Sequence, residues 1–160
     1  MKLKIISGGQ YGADMGGLCA ARANGIETGG CAAKGFKTED GDNTNLASVY
    51  NLIDKGFDYA RRTEENVLRS DITLVFADKL DSPGTKLTIE LCKKIGRPCI
   101  VNPPAFAVRD IIRPMQDILP EDGTFVINVA GNRESVAPGI QKRTTNVLNS
   151  AFKMVKFLEV

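Results

Sequence analysis

A glycine-containing turn near the amino terminus offers the first recognisable chemistry in this chain. Ser7-Gly8-Gly9-Gln10 follows an apolar, strand-like run and precedes a segment with helical spacing over residues 11–23. Glycine lets a backbone approach phosphate closely, and the free amides at a helix start point at negative charge. The turn lacks both the G-x-G-x-x-G spacing and the G-K-[ST] ending of the best-known phosphate loops. The pattern therefore predicts an anion site without naming the ligand.

Further turns at predicted strand ends carry similar side chains. Gly84-Thr85 opens a helix after one apolar run, Lys34 follows a short strand, and Gly131-Asn132-Arg133-Glu134-Ser135 follows the last apolar run. The Thr85 hydroxyl and the Arg133 guanidinium are groups that hold phosphate or carboxylate. Ligands of open α/β sheets bind beyond the carboxyl ends of the strands. We therefore expect these turns to form one pocket for a small phosphorylated ligand.

Other polar residues leave two interpretations open. Asp14, in the first turn of the first helix, could contact a ribose or base edge or act as a base, or it could be a helix-start acid favoured by the dipole. Glu90 lies too far along its helix to reach the phosphate turn easily. The helix before the third main strand has a polar face, which we interpret as solvated surface or a subunit contact. That face comprises Arg61, Arg62, Thr63, Glu64 and Asn66.

Composition limits the classes of function. The 160 residues fit a single domain over residues 1–160, and a net charge of +2 gives no reason to expect a nucleic-acid partner. No apolar run approaches the roughly 18 residues of a membrane span, and the chain opens on a strand rather than a signal peptide, so we expect a cytoplasmic protein without a membrane partner. The absence of histidine excludes Ser-His-Asp and Cys-His catalysis and histidine-ligated zinc. The four scattered cysteines are best explained as buried reduced thiols, and no metal site is predicted.

Apolar runs alternate with segments of helical period. The runs are nearly continuous in apolar residues, which is typical of strands buried on both faces of a parallel sheet. This alternation predicts an α/β three-layer sandwich with a mainly parallel sheet. The predicted strands are 3–6, 27–31, 72–77, 98–102 and 125–129. The predicted helices are 11–23, 58–69, 85–95, 105–119, which Pro114 should kink or split, and 139–158.

A long polar stretch interrupts this alternation between Ala32 and Phe57. Loops of that length are uncommon inside a compact domain and are often functional. An ordinary surface excursion explains the stretch equally well. The sequence leaves both interpretations open.

The chain resembles the molybdenum-cofactor carrier family, a branch of the Rossmann-like SLOG superfamily that also includes lysine-decarboxylase-like nucleotide hydrolases. The resemblance spans nearly the whole chain and implies a single-domain Rossmann-like fold. It also implies a pocket for a nucleotide-like or pterin-nucleotide-like ligand, and molybdenum cofactor is one candidate for that ligand. Tyr11 stands where the family usually has Thr, and its ring could stack on a base. The matching segments are residues 5–10 with Gly12 and Asp14, Gly29-Gly30, Lys34-Gly35, Arg62-Thr63, Asn66-Val67, Gly84-Thr85, residues 128–135 and Pro138-Gly139-Ile140.

Three functions remain open at this stage. The first is a non-catalytic binding protein for a phosphorylated nucleotide-like ligand. The second is a hydrolase of an N-glycosidic or phosphate bond. The hydrolase relatives carry P-G-G-x-G-T-x-x-E, whereas the third residue after Thr85 is Thr88, and Glu90 points to a different azimuth of the helix. The third is a sensor or sink for a nucleotide signal. The resemblance also implies a homo-oligomer, a dimer or tetramer.

Overall fold

The computed structural model describes residues 1–156 as alternating strands and helices. The strands are β1 (Lys2–Ile6), β2 (Glu27–Gly29), β3 (Cys31–Ala32), β4 (Lys37–Thr38), β5 (Gly41–Asp42), β6 (Ile53–Asp54), β7 (Ile72–Phe76), β8 (Cys99–Val101) and β9 (Thr124–Gly131). The helices are α1 (Ala13–Ala23), α2 (Asn45–Ser48), α3 (Tyr59–Leu68), α4 (Pro83–Ile95), α5 (Ala105–Ile118) and α6 (Ile140–Lys156), and residues 34–36 form a 3-10 turn. The predicted three-layer α/β class is confirmed.

Five strands form the central sheet in the order β2-β1-β9-β7-β8, and every pairing between them is parallel. The last strand in sequence, β9, therefore lies in the middle, with Ile6 opposite Asn128 on one side and Phe76 opposite Gly131 on the other. Because β1, β9 and β7 end at the same edge, the turns that follow them are neighbours.

One face of this sheet is apolar. Strand residues such as Ile5, Ile127 and Val129 pack with Leu148 and Phe152 of α6 into a single buried cluster. Helix α1 approaches this face closely, because a Cβ at Gly17 would lie 2.7 Å from the Val129 side chain. Helices α1 and α5 both pack against α6. This layer supplies the hydrophobic core of the described chain.

The opposite face, under α3 and α4, is polar. Successive strand residues point to opposite faces, so Lys4, Thr73 and Asn128 alternate with the apolar residues of the core. Thr73 and Asn128 are buried and hydrogen-bond to each other at 3.3 Å. Helix α3 turns mainly polar side chains inward: its buried residues are Arg62, Thr63, Glu65, Asn66 and Val67. Buried polar side chains therefore share this layer with apolar ones such as Val67 and Val75.

Local signals explain most helix boundaries. Asp58 caps α3 by accepting a hydrogen bond from the Arg61 amide at 2.8 Å, and Gly96 ends α4 in the left-handed conformation at φ 80°. Pro114 does not split α5, which continues to Ile118. The buried inward face of α5 stabilises the helix through tertiary packing, which outweighs the lost amide hydrogen bond.

Other boundaries differ from prediction by one or two residues, and two of these differences bear on the fold. The first helix starts at Ala13 rather than Tyr11, and the predicted strand 27–31 is divided at Gly30 into β2 and β3, which join different sheets. The predicted end of the last helix, Leu158, lies outside the described residues. Within residues 1–156, no helix is long and apolar enough to cross a membrane.

The polar stretch after β2 has its own small architecture. β3 pairs with β6 in parallel, and β4 and β5 form an antiparallel hairpin. Leu46 and Leu52 from this stretch are buried against Met15 and Leu18 of α1 in a second apolar cluster. Cys31 and Cys92 are buried as predicted, whereas Cys19 and Cys99 are only half-buried, and none of the four forms a disulfide.

Candidate functional site

The turns after β1 and β9 are joined by backbone hydrogen bonds. The Ala13 amide donates to the Asn132 carbonyl at 3.1 Å, and the Glu134 amide donates to the Tyr11 carbonyl at 2.9 Å. Gly12 makes this approach possible, because its φ is 118° and a Cβ would lie 2.4 Å from the Asn132 oxygen. The structure thus brings together two of the segments that the sequence assigns to one pocket.

Asn132 links the turn after β7 to this pair. Its Oδ1 accepts hydrogen bonds from the Asp78 and Lys79 amides at 2.8 and 2.9 Å. Its Nδ2 donates to the Lys79 carbonyl, to Ser82 Oγ and to Thr85 Oγ1 at 2.9 to 3.0 Å. Both Asn132 and Thr85 are buried and use their polar atoms on each other. They fix the Gly84 turn in place, and a direct contact with ligand stays a prediction.

The first turn also uses its own donors internally. The Gly9 amide donates to Ser7 Oγ at 3.1 Å, and the Gln10 amide donates to Asp14 Oδ2 at 3.2 Å. Burial raises the pKa of the Asp14 carboxyl, and the positive charge of Arg62 only partly offsets that effect. The turn is therefore closed by a carboxylate of the protein rather than left as a row of free amides.

Glu134 and Ser135 hold the adjoining loop. The Glu134 carboxylate accepts hydrogen bonds from the amides of Gly139 and, at 3.1 Å, Gln141 at the start of α6. The Ser135 hydroxyl donates to the Glu39 carboxylate, so it connects this loop to the polar stretch. These contacts give both residues a supporting place in the wall of the site.

A cavity of about 440 Å³, the outer pocket, opens beside this wall. Three basic side chains line it, Lys34, Lys37 and Arg133, together with the aromatic rings of Phe57 and Tyr59. Two carboxylates also line it, but both already accept hydrogen bonds, Glu39 from Ser135 and Asp58 from the Arg61 amide. The volume falls within the range of small-molecule sites. Most of the lining comes from the polar stretch after β2, which favours the functional interpretation of that stretch.

A second, smaller space lies deeper, on the polar face of the sheet. This inner pocket is lined by Gly8, Asp14, Arg62, Gly84 and Thr88, and its free volume of about 20 Å³ has room for roughly one water molecule. The Arg62 side chain fills most of it. A Cβ at Gly8 would lie 1.5 Å from Arg62 Nη1, so glycine at this position makes room for the guanidinium.

Arg62 is the least satisfied polar side chain of the inner pocket. Only 5% of its side chain is exposed, and Nη1 lies 3.8 Å from Asp14 Oδ2, beyond hydrogen-bond distance. Its Nε and Nη2 are buried and have no hydrogen-bond partner among the described residues. Buried donors without partners are uncommon in folded proteins and cost free energy.

The Tyr59 ring separates the two pockets. The Arg62 guanidinium carbon lies 4.3 Å from the ring centroid, and the Arg133 guanidinium carbon lies 5.0 Å from it. Such distances are typical of cation–π contacts. The Tyr59 hydroxyl is seated at Gly84, where a Cβ would lie 2.9 Å from it. One ring therefore contacts one cation from each pocket.

Two predictions about individual residues need correction, and the one about Glu90 agrees with the structure. Arg62 is buried, not part of a solvated helix surface, because α3 has only Val67 as an inward apolar anchor and turns its polar residues inward beside it. The Tyr11 ring does not line either pocket; it packs on the second apolar cluster beside Met15. Thr88 lines the inner pocket and its hydroxyl donates to the Gly84 carbonyl at 3.0 Å, whereas Glu90 is exposed.

Sequence reasoning missed Tyr59, Lys37 and Arg62 as lining residues. A signal for Arg62 was present, since Arg62, Thr63 and Asn66 share the helical face of Val67. Nothing comparable marks Lys37, which reaches the pocket because the β4–β5 hairpin places it there.

A parallel sheet with a basic cleft at its carboxyl edge defines a Rossmann-like α/β protein of the ligand-binding kind. More particularly, the chain belongs to the circularly permutated YpsA SLOG family, whose family model matches residues 5–152. It is similar to the crystal structure of a putative molybdenum carrier protein from Syntrophus aciditrophicus SB, at 31% identity and a TM-score of 0.74 over 92% of this chain and 93% of that one. No curated protein matches the chain.

Proposed function

We propose that the protein binds a phosphorylated, nucleotide-like ligand in the outer pocket. The observation that carries this proposal is the grouping of Lys34, Lys37 and Arg133 around one cavity of about 440 Å³. A guanidinium holds phosphate through two parallel hydrogen bonds, and lysines add point charge. The anionic group of the ligand would lie among these three cations.

The aromatic rings of the outer pocket suit a flat, heterocyclic part of the ligand. Tyr59 and Phe57 both line the cavity, and each ring already contacts an arginine, Arg133 at 5.0 Å and Arg61 at 5.1 Å. Stacking of a heterocyclic base on an aromatic side chain contributes about 1–3 kcal/mol. A nucleotide or a pterin phosphate has both required parts.

Molybdenum cofactor is one candidate cargo, because the related crystal structure is described as a molybdenum carrier. The basic side chains of the outer pocket fit the phosphate of such a pterin. Within residues 1–156, no group of three or more His, Cys, Asp or Glu side chains is placed to hold a metal ion. Recognition would therefore act on the organic part and its phosphate.

Binding without hydrolysis is favoured by the position that Thr88 occupies. The hydrolase relatives place a glutamate three residues after the threonine of the glycine turn, and here that position is Thr88, whose hydroxyl is bonded to Gly84. Glu90 is exposed on the other side of α4. The glutamate that those hydrolases use is therefore absent from this position of α4, and the carboxyl group of the inner pocket is that of Asp14, which accepts a hydrogen bond from the Gln10 amide.

The proposal is tested by releasing and identifying the co-purified ligand by native mass spectrometry, followed by calorimetry with that ligand. Arg133→Ala should weaken binding by roughly 1.5–3 kcal/mol, which is tenfold or more, because it removes a charge-assisted contact. Arg109→Ala, which removes a guanidinium paired with its neighbour Asp110, should leave affinity unchanged. Equal affinities for wild type and Arg133→Ala would contradict the proposal, and chemically altered ligand after incubation would support a hydrolase instead.

A further inference from the structure

The inner pocket holds a cation whose hydrogen bonds are incomplete. Arg62 has two buried nitrogens without a partner, and its nearest carboxylate, Asp14, is 3.8 Å away. Burying a charged group is costly unless it is paired and hydrogen-bonded. Among the described residues that line this pocket, Asp14 and Arg62 are the charged ones. An additional anion would satisfy the free donors of the guanidinium.

We propose that Arg62 forms a second anion subsite, so that the ligand carries two linked anionic groups of the diphosphate class. One group would bind Arg133 and Lys37 in the outer pocket, and the other would bind Arg62 in the inner pocket. This inference rests on the proposed function and adds the chemical class of the ligand to it.

The contact between Arg62 and the Tyr59 ring leaves the N–H groups of Arg62 free to bind an anion. A guanidinium that stacks on a ring uses its flat face, whereas its N–H donors lie in the plane and remain available for an anion. Both guanidinium carbons lie within 5.0 Å of the Tyr59 centroid, so one side chain separates the two cations. A single ligand with two linked anionic groups could therefore contact both cations once the ring has moved aside.

Tyr59 is the residue that must move. The free volume of about 20 Å³ is too small for a phosphoryl group, so an anion reaches Arg62 only when the ring leaves its place between the pockets. The Tyr59 side chain is suited to this because the residue is 36% exposed and lies in the first turn of α3. Gly8 and Gly84 present backbone without side chains to the vacated space.

Calorimetry with two inorganic probes tests the proposal on the full chain. Pyrophosphate should bind wild type at least tenfold more tightly than orthophosphate. Arg62→Met should weaken pyrophosphate binding about tenfold or more and leave orthophosphate binding within about twofold. Arg133→Ala should weaken both probes. The matched control is Arg109→Met, which removes a guanidinium of α5 that pairs with Asp110 and lines neither pocket, so it should change neither affinity.

Folding is monitored by thermal denaturation. If Arg62→Met alone unfolds because Asp14 loses its counter-charge, the double variant Arg62→Met with Asp14→Asn keeps the pocket neutral and should show the same selective loss. Equal binding of both probes to wild type, or equal effects of Arg62→Met and Arg109→Met, would overturn the second subsite. Either result leaves the outer pocket intact, because that pocket is tested separately by the Arg133 variant and the released ligand.

Discussion

The two faces of the central sheet bury different kinds of side chains, mainly apolar on one face and many polar on the other. The face under α1, α5 and α6 buries Ile5, Ile127 and Phe152 in one continuous apolar cluster. The face under α3 and α4 buries Thr73, Asn128 and Arg62, and it leaves a groove of about 420 Å³ over Lys4 and Val126 in addition to the inner pocket.

The difference separates stability from binding. Apolar burial stabilises a fold without demanding particular partners, whereas buried polar groups must each find a hydrogen bond. On the polar face most of them do, as the Thr73–Asn128 contact shows, and Arg62 does not. We conclude that the apolar face supplies most of the folding free energy, whereas the polar face holds Arg62 and the proposed second anion subsite.

Leu148→Ala should produce the largest loss of stability. The side chain is fully buried in the apolar cluster, so removing it costs the transfer free energy plus a cavity, about 3 kcal/mol in the free energy of unfolding. Urea denaturation measures the change. Leu68→Ala, at a site that is 40% exposed on α3, should change it by less than about 0.5 kcal/mol. Equal losses of unfolding free energy at the two leucines would show that burial in the apolar cluster does not determine the cost of truncation.

Asn66→Ala should have an intermediate effect, from the polar face. The Asn66 amide accepts a hydrogen bond from the Cys31 backbone amide at 2.8 Å and donates to the Cys31 carbonyl at 3.0 Å. Truncation leaves both buried groups unpaired, so the free energy of unfolding should fall by about 2 kcal/mol. Asn45→Ala, at an exposed position, is the control. A neutral result at Asn66 would show that the polar face does not need its hydrogen bonds.

Asp14→Asn should have the smallest effect, visible as a dependence on pH. Burial raises the pKa of Asp14 in the folded protein, so the folded state holds this proton more tightly than the unfolded state. The stability of wild type relative to Asp14→Asn should therefore fall as pH rises from about 4 through the folded pKa. Urea denaturation of both proteins across about pH 4 to 8 measures this. A difference that grows with pH would mean that the Arg62 charge outweighs burial.

The strands and the pocket edge were predictable because their signals are local. Nearly continuous apolar runs such as Ile72–Phe76 indicate parallel strands, and a glycine turn after each strand places the candidate site. The strand order was not predictable, because β9 pairs with two strands that are distant in sequence: Lys2 lies opposite Thr124, and Ile72 lies opposite Ile127. The implied homo-oligomer stays a prediction.

The finer site was harder to predict because its cause is tertiary. Helix α3 is so polar that its sequence resembles a solvated surface, and the helical face that Arg62 shares with Val67 was the one local sign that Arg62 is buried. Likewise, Leu46 and Leu52 hold the stretch after β2 in place by packing on α1, and no local sequence spacing predicts this contact. Lys34 and Lys37 take their places in the pocket through that packing.

The central position of β9 also has a consequence for synthesis on the ribosome. β1 and β7 each pair with β9 and not with each other, so a nascent chain that ends before Thr124 has two half-sheets, β2-β1 and β7-β8, with facing open edges. Open edges are templates for pairing with other chains. The final quarter of the chain joins the halves, and until it emerges the protein is exposed to misassembly that the finished sheet prevents.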